Sequence, residues 1–202
     1  MKIYLVRHGQ TKWNTEGILQ GTQDVLLNDL GIKQAKALNT YFKNIPFDVL
    51  CSSNLKRAFH TAEFLNKDIN KPIHIYEDLR EIELGVWEGL TWKEVKEKYL
   101  KNIPQNPTEF LNVKAEGGES YQTFQTRSYN ALREIIKEYK GKEVVLLTHG
   151  GVIKAIVSKI LNIDLVMRNL FDVDNASITI LDYDIEKDIL KLVTLNELIR
   201  LT

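Results

Sequence analysis

Ile3-Tyr4-Leu5-Val6-Arg7-His8-Gly9 is a short apolar run that ends abruptly in a cation, an imidazole and a glycine. Such β-rich apolar runs are typical of buried strands. A second run, Val144-Val145-Leu146-Leu147, has the same character and passes through Thr148-His149-Gly150-Gly151 into an apolar helical stretch. In open α/β sheets, ligands bind beyond the carboxyl ends of the strands. The two histidines could therefore meet over one ligand.

The rest of the chain alternates between helical and β-like patterns. Apolar spacing predicts helices over about residues 29–44, 91–101, 120–140 and 152–161, and another that ends near Asn66, with Ser52 and Ser53 as candidate N-caps. Strands are predicted at 48–51 and 73–76, followed by a carboxy-terminal hairpin at 177–183 and 190–195. This order predicts an α/β domain: a three-layer α/β/α sandwich whose sheet is mostly parallel with an antiparallel edge.

The bulk composition indicates one ordinary globular domain over residues 1–202. The 27 basic and 27 acidic side chains give a formal net charge of zero, which lends no support to a nucleic-acid partner. The lone Cys51 excludes an internal disulfide, fits a reducing compartment and is expected to be a small buried hydrophobe. No signal-peptide pattern and no apolar stretch near the ~20 residues needed to span a bilayer occurs. We therefore expect a cytoplasmic protein without a membrane partner; a homodimer is compatible with the sequence, but no stretch requires one.

Two irregular segments are expected to serve function rather than packing. Residues 10–24 are polar and punctuated by glycine, which is typical of a functional loop. Residues 91–119 join a short helix to an irregular stretch with prolines and glycines, and this length of irregular chain suggests a lid that selects the substrate. Trp92, Tyr99 and Phe110 could pack an apolar leaving group there, although core packing is the commoner role of such side chains.

Two arginines and two histidines fall at or just beyond predicted strand ends: Arg7, His8, Arg57 and His149. Two arginines near one point in a neutral protein suggest an anion, because guanidinium groups match phosphate oxygens. An imidazole among cations has its charged form disfavoured and can act as a nucleophile. Phosphoryl transfer needs mainly positioning and stabilisation of oxygen charge, which this set supplies without a metal.

The proton donor for the leaving group would be a carboxylic acid from the loop at 79–89, and spacing alone leaves Glu81, Glu83 and Glu88 open. A divalent-metal site is the alternative reading of the histidines. However, no H-x-x-x-H or H-x-H spacing occurs, and Arg7 beside His8 opposes a cation. Other charged side chains are expected to be merely packed or solvated: His60, His74, Arg80, Lys93, Lys96, Lys98 and Lys101.

A series of motifs occurs in order along most of the chain. They are Arg7-His8-Gly9 with Thr11 and Asn14, Leu55-Lys56-Arg57-Ala58 with Thr61-Ala62, Leu79-Arg80-Glu81, Gly85-x-Trp87-Glu88-Gly89, Gly117-Gly118-Glu119-Ser120 and Thr148-His149-Gly150-Gly151. Arg-His-Gly alone would be a weak signal, but the combination is specific. Together they resemble the histidine phosphatase superfamily, and the resemblance implies a phosphoglycerate-mutase-like fold.

The resemblance also implies a role for individual residues. His8 would become a phosphohistidine, and Glu81 would be the acid and base. Arg7, Arg57 and His149 would hold the phosphoryl group. The positions implied in substrate binding are Arg7, Asn14, Thr22, Gln23, Arg57, His149 and Gly150. No metal and no cofactor are implied.

Within this family the chain resembles the shorter phosphatase branch, which includes broad-specificity, α-ribazole-phosphate and metal-independent phosphoserine phosphatases. It has Leu79-Arg80-Glu81-Ile82 where glycolytic mutases carry Leu-Asn-Glu-Arg, although Gln10 departs from the usual Glu or Ala. We expect a phosphomonoesterase that acts on a small phosphorylated metabolite. One alternative is a cofactor-dependent phosphoglycerate mutase, which must keep water out and return the phosphoryl group to a substrate hydroxyl. Another is an inactive phospho-ligand-binding module, which the presence of all the reacting residues disfavours.

Overall fold

A mixed sheet lies at the centre of the part of the chain that the structure, a computed structural model, describes: residues 1–99, 111–167 and 169–199. Its strands are β1 (Lys2–Arg7), β2 (Val49–Ser52), β3 (Ile73–Ile75), β4 (Val144–Thr148), β5 (Ile178–Asp184) and β6 (Ile189–Glu197). The helices are α1 (Lys12–Glu16), α2 (Asp29–Lys43), α3 (Lys56–Asn66), α4 (Trp92–Tyr99), α5 (Tyr121–Glu138) and α6 (Gly150–Ile160).

The order of strands across the sheet is β3-β2-β4-β1-β5-β6. The pairs β2–β3, β2–β4 and β1–β4 are parallel, whereas β5 is antiparallel to β1 and β6 is antiparallel to β5. The predicted fold class is therefore confirmed, including the antiparallel edge that the carboxy-terminal hairpin forms. Arg7 is in register with Thr148, so β1 and β4 end side by side.

The central strands are buried on both faces, as is usual where helices cover a parallel sheet, whereas the outer strands β3 and β6 are partly exposed. Successive side chains of a strand point to opposite faces. Ile3 and Leu5 of β1 accordingly belong to one core cluster, together with residues of α5 and α6, while Tyr4 and Val6 belong to a second cluster with residues of α2 and α3. This packing fixes β1 from both sides, and His8 follows directly after it.

Three predicted helix starts agree with hydrogen bonds at the observed caps. Asn28 accepts a bond from Gly31 N, and Ser120 accepts one from Thr123 N. At the start of α4, Thr91 and Glu94 form a reciprocal capping box.

The prediction that Ser52 or Ser53 caps α3 is wrong. Ser52 is the last residue of β2, α3 begins at Lys56, and Leu55 occupies the cap position without a side-chain hydrogen bond. The reason lies in the contacts of the two serines: Ser52 Oγ donates to the Ser53 carbonyl, and Ser53 Oγ lies 2.8 Å from His149 Nε2.

The two irregular segments differ from expectation in detail. The first contains the short helix α1, which Thr11 and Asn14 cap reciprocally. In the second, Trp92 packs edge-on against Trp87 with ring centroids 6.1 Å apart, whereas Tyr99 is 46% exposed. Phe110 lies outside the described residues, and the lid remains a prediction. Across the described ranges, every helix is too short or too polar to cross a bilayer.

Candidate active site

The two histidines lie together, as the sequence predicts. His8 follows β1, His149 follows β4, and the centroids of their rings are 5.3 Å apart with the ring planes at 58°. Both side chains are buried. The His8 main-chain N–H donates to the Thr148 carbonyl at 2.9 Å, which continues the pairing of the two strands into the site.

His8 is held as a neutral imidazole with one defined tautomer. Its Nδ1 lies 2.7 Å from the Gly9 carbonyl oxygen. A carbonyl only accepts, so Nδ1 carries the proton and Nε2 keeps its lone pair. Burial, followed by the positive charges of Arg57 and Arg7, holds the pKa of His8 well below its usual value. The lone pair of Nε2 is thus available for nucleophilic attack.

In His149 the other ring nitrogen, Nε2, makes the hydrogen bond. Its Nε2 contacts Ser53 Oγ at 2.8 Å, and its Nδ1 is buried without a hydrogen-bond partner in the described part of the chain. Burial, then Arg57 and His8, lower the pKa of His149 well below its usual value. Sequence reasoning missed Ser53 as the partner of this ring, because a serine after a strand is equally typical of a helix cap.

Main-chain carbonyls hold both arginines, of which Arg57 is buried and Arg7 is partly buried. Arg7 Nη1 donates to Val173 O at 2.6 Å, while Arg57 donates through Nη1 to Gln23 O and through Nη2 to Gly21 O, both at 2.7 Å. Burial lowers the pKa of Arg57 to about 10 and lowers that of Arg7, and the nearby carboxylate of Glu81 opposes both shifts. Both guanidinium groups therefore stay charged near neutral pH.

Three buried nitrogen atoms of these side chains lack hydrogen-bond partners within residues 1–99, 111–167 and 169–199: Arg7 Nε, Arg57 Nε and His149 Nδ1. A buried polar group without a partner is costly, and a buried charge without one is more so. Two of the three belong to cations. The arrangement therefore fits an anion with several acceptor oxygens, and a phosphoryl group is the common one.

Asn14 contributes a further donor. Its Oδ1 accepts hydrogen bonds from the main chain and hydroxyl of Thr11, both at 3.0 Å, and from Asn175 Nδ2 at 3.3 Å. Its Nδ2 is therefore the atom that can donate to a ligand. Asn175, which also donates to the His8 carbonyl at 3.1 Å, was missed by sequence reasoning. A signal exists: an antiparallel strand begins where its neighbour ends, so residues just before β5 lie beside the site.

Glu81 is the carboxylate that lies beside His8 and the two arginines. Its Oε1 accepts from Ile82 N at 3.0 Å and its Oε2 from Gly151 N at 3.1 Å. A Cβ atom at Gly151 would lie 2.2 Å from Glu81 Oε1, so the absence of a side chain there is what lets the carboxylate approach α6. The Glu81 carboxylate is thus held between the backbone of its own loop, at Ile82, and the amino end of the helix that follows His149.

The other two acids that the sequence left open have structural partners. Glu83 forms an ion pair with Arg80, with Oε1 2.8 Å from Nη2, which also corrects the expectation that Arg80 is simply solvated. Glu88 Oε1 accepts hydrogen bonds from Thr22 N and Leu84 N. Of these three carboxylates, Glu81 alone lines the cavity described below.

Thr22 and Gln23 are not brought to the cavity. Thr22 Oγ1 lies 3.1 Å from Glu88 Oε1, and Gln23 Nε2 donates to Glu88 Oε2 at 2.7 Å. Their side chains tie residues 20–24 to Glu88, and the Gln23 carbonyl holds Arg57. Contact of Thr22 and Gln23 with a substrate stays a prediction. Gly150 begins α6, where an added Cβ would lie 3.2 Å from Arg7 Nε.

A cavity of about 250 Å³ opens over His8, the two arginines and Glu81. Its charged and polar end is formed by Arg7, His8, Asn14, Arg57 and Glu81. Its remaining wall is largely apolar, with one cation, two amides and two glycines: Ile18, Leu19, Ile82, Leu84, Tyr121, Phe124, Ala155, Lys154, Gln20, Asn169, Gly21 and Gly151. Among the described residues, no group of His, Cys, Asp and Glu side chains is arranged to hold a metal ion.

The depressed pKa values of His8 and His149 predict a loss of stability in mild acid. Below pH ~6.5 the histidines of the unfolded chain bind protons while the buried ones remain neutral, so protonation favours unfolding. The free energy of unfolding should therefore be retained above pH ~6.5 and should fall, as pH drops below it, by about 1.4 kcal/mol per pH unit for each histidine. Urea unfolding between about pH 5 and 7.5 measures this slope.

The control for that experiment is the doubly substituted protein His8→Asn, His149→Asn, in which the slope over the same interval should flatten. His60→Asn, at a helix position whose side chain is 39% exposed, should leave the slope unchanged. Equal slopes in the wild type and the double variant would show that these histidines are not the groups responsible.

Comparison with known proteins gives concordant matches over nearly the whole chain. The sequence profile of the histidine phosphatase superfamily (branch 1) matches residues 3–196. A metal-independent phosphoserine phosphatase of Arabidopsis thaliana is 39% identical over 166 residues, which are 79% of this chain and 68% of the relative.

Solved structures agree with the sequence matches. An α-ribazole phosphatase from Shigella flexneri superposes with a TM-score of 0.87 at 26% identity, covering 98% of this chain and 96% of the other. A phosphoserine phosphatase from Entamoeba histolytica in complex with 3-phosphoglyceric acid has a TM-score of 0.83 at 30% identity, covering 97% of this chain and 96% of the other.

Proposed function

The chain belongs to the histidine phosphatase superfamily, and on that premise we propose that it is a phosphomonoesterase in which His8 is the nucleophile and Glu81 the acid and base. The observation that carries the proposal is the set of buried, unpaired side-chain nitrogen atoms of Arg7, Arg57 and His149 beside the lone pair of His8. Hydrolysis of a phosphomonoester needs such a nucleophile, such donors and one proton carrier.

In the first step His8 Nε2 attacks the phosphorus atom, and the bond from phosphorus to the leaving oxygen breaks. The electron pair of that bond passes to the leaving oxygen, which takes a proton from the carboxylic acid of Glu81. The guanidinium groups of Arg7 and Arg57 and the donor at His149 Nδ1 stabilise the charge on the equatorial oxygens. The products are an alcohol and a phosphohistidine.

In the second step the Glu81 carboxylate takes a proton from a water molecule, whose oxygen attacks the phosphorus atom. The phosphorus–nitrogen bond breaks and its electron pair returns to Nε2. Inorganic phosphate leaves, Glu81 is again protonated, and His8 is again neutral. The hydrogen bond from Nδ1 to Gly9 O keeps the ring in one orientation through both steps.

The leaving group is proposed to be a small carboxylate-bearing alcohol. A cavity of about 250 Å³ lies below the usual range for drug-sized ligands, which favours a small substrate. Lys154 lies one helical turn after Gly151 and lines the cavity as a third cation, beyond the two arginines that match the phosphoryl group. The phosphoserine phosphatases among the relatives, one of them solved with 3-phosphoglyceric acid, support the same class.

Phosphate release from a panel of phosphomonoesters tests this function. Phosphoserine and phosphoethanolamine form the informative pair, because they differ only by the carboxylate. We expect kcat/KM to be roughly 10-fold or more higher for phosphoserine, which is the value of about one charge-assisted contact. The panel also contains 3-phosphoglycerate, a ribazole phosphate and an aryl phosphate.

Lys154→Met is the matching variant, and it should remove the preference while leaving phosphoethanolamine hydrolysis intact. A preference that survives this change would place the carboxylate elsewhere. Isomerisation of 3-phosphoglycerate, without release of phosphate from any compound, would show that the activity is that of a mutase and not of a phosphatase. A relative named phosphoglycerate mutase-like protein 4, from Arabidopsis thaliana, is 36% identical over 194 residues.

A further inference from the structure

Arg127 of α5 lies behind the acid-bearing loop, which we define as residues 78–83, and it does not line the cavity. We propose that Arg127, through a buried ion pair with Glu119, is a positioning residue that sets the location of the Glu81 carboxylate. The inference rests on the proposed function of Glu81 as acid and base.

Arg127 binds the main chain of the acid-bearing loop at successive points. Nη1 donates to Asp78 O at 2.8 Å and to Arg80 O at 3.1 Å, and Nη2 lies 3.4 Å from Glu81 O. A planar guanidinium can make such a set of bonds at once, whereas a lysine ammonium, a single point of charge, cannot reproduce the fork. One side chain therefore fixes the carbonyl groups of Arg80 and Glu81, which flank the α-carbon of Glu81.

Glu119 completes the arrangement. It accepts two hydrogen bonds from Arg127, through Nη2 and through Nε, the latter at 3.3 Å. Its Oε1 also accepts from Glu83 N at 3.1 Å, and its own main-chain N–H donates to Glu83 O at 2.9 Å. The side chains of Arg127 and Glu119 are only 12% and 10% exposed, so solvent screens this pair far less than a surface ion pair.

The consequence concerns proton delivery rather than substrate binding. The Glu81 carboxylate is itself held by main-chain N–H groups, those of Ile82 and Gly151. Its position thus follows the backbone of the acid-bearing loop on one side and α6 on the other. Arg127 and Glu119 hold the loop side, and a displacement of about 1 Å at a reacting group can cost as much as 100-fold in rate.

The test is Arg127→Met, measured as kcat/KM for two kinds of substrate. An alkyl phosphate such as phosphoserine needs a proton on its leaving oxygen, whereas 4-nitrophenyl phosphate has a leaving group that departs as an anion. kcat/KM reports the steps up to departure of the leaving group and excludes the later attack of water. We expect a loss of roughly 10- to 100-fold for phosphoserine and of less than about 3-fold for 4-nitrophenyl phosphate.

Arg133→Met is a matched control on the same helix. Arg133 is also paired with an acid, Asp188, and its guanidinium lies 5.6 Å from the Tyr183 ring, as that of Arg127 lies 5.2 Å from the Phe124 ring. This control should leave the ratio of the two kcat/KM values unchanged. Arg127→Lys should restore little of the lost ratio, because it lacks the fork.

Two further variants make the outcome decisive. If Arg127→Met does not fold, Glu119→Gln, which removes the charge and keeps the shape, should lower the same ratio to a smaller extent. Glu81→Gln tests the underlying function, because it should lower the ratio at least as far as Arg127→Met. A selective loss in Glu81→Gln without one in the Arg127 or Glu119 variants overturns this inference alone, whereas no selective loss in Glu81→Gln removes the proposed role of Glu81 itself.

Discussion

Replacing His8 by alanine is expected to lower kcat for phosphomonoester hydrolysis by roughly 10⁴-fold or more, the scale seen when a covalent nucleophile is removed from an enzyme. The arginines and His149 would still bind the phosphoryl group, so KM should change far less than kcat. The folded structure should survive, since the side-chain hydrogen bond from His8 to Gly9 O contributes about 1 kcal/mol.

The measurement pairs turnover with detection of the covalent intermediate. Brief incubation of the wild type with radiolabelled substrate should leave phosphate on the protein that is stable in alkali and lost in acid, as expected of a phosphorus–nitrogen bond. The label should be missing from His8→Ala and present in His60→Ala, where the replaced histidine lies on α3 and is partly exposed. Turnover of His8→Ala within 10-fold of the wild type would remove His8 as the nucleophile.

The pair of histidines was predictable because it depends on strand direction alone. Parallel strands bring their carboxyl ends to one edge of a sheet, so two apolar runs that each end in His-Gly suffice to place His8 beside His149. The same reasoning places Arg57 there, because α3 follows β2. The sheet topology is therefore enough to predict the site residues that lie at the ends of strands.

The parts that could not be predicted depend on side-chain contacts between distant segments. Spacing does not separate Glu81 from Glu83 and Glu88, because all three lie in one irregular loop, and only the partners of each distinguish them. Nothing local to Ser53 says that its hydroxyl will face His149, 96 residues away. The same holds for Arg127, whose contacts with the acid-bearing loop follow from how α5 packs on the sheet.

The position of the Glu81 carboxylate depends on the missing side chain of Gly151. Its carboxylate accepts from Gly151 N across a gap that a side chain would close, since a Cβ at Gly151 would lie 2.2 Å from Oε1. The obstructing atom is the far end of a flexible side chain and not a backbone atom. An added methyl group should therefore displace the carboxylate and leave the helix where it is.

Gly151→Ala is accordingly expected to lower kcat/KM for phosphoserine by roughly 100-fold, the scale of a 1 Å misplacement, and to affect 4-nitrophenyl phosphate several-fold at most. Gly151 lies within α6, where alanine is favoured over glycine by up to about 1 kcal/mol, so the free energy of unfolding should stay unchanged or rise. Gly141→Ala, at a glycine with φ of 83° and open space around it, should show the reverse: lower stability and unchanged activity. Equal losses for both substrates in Gly151→Ala would mean that the added methyl group blocks the phosphoryl pocket itself. In that case displacement of the Glu81 carboxylate would not be the cause of the lost activity.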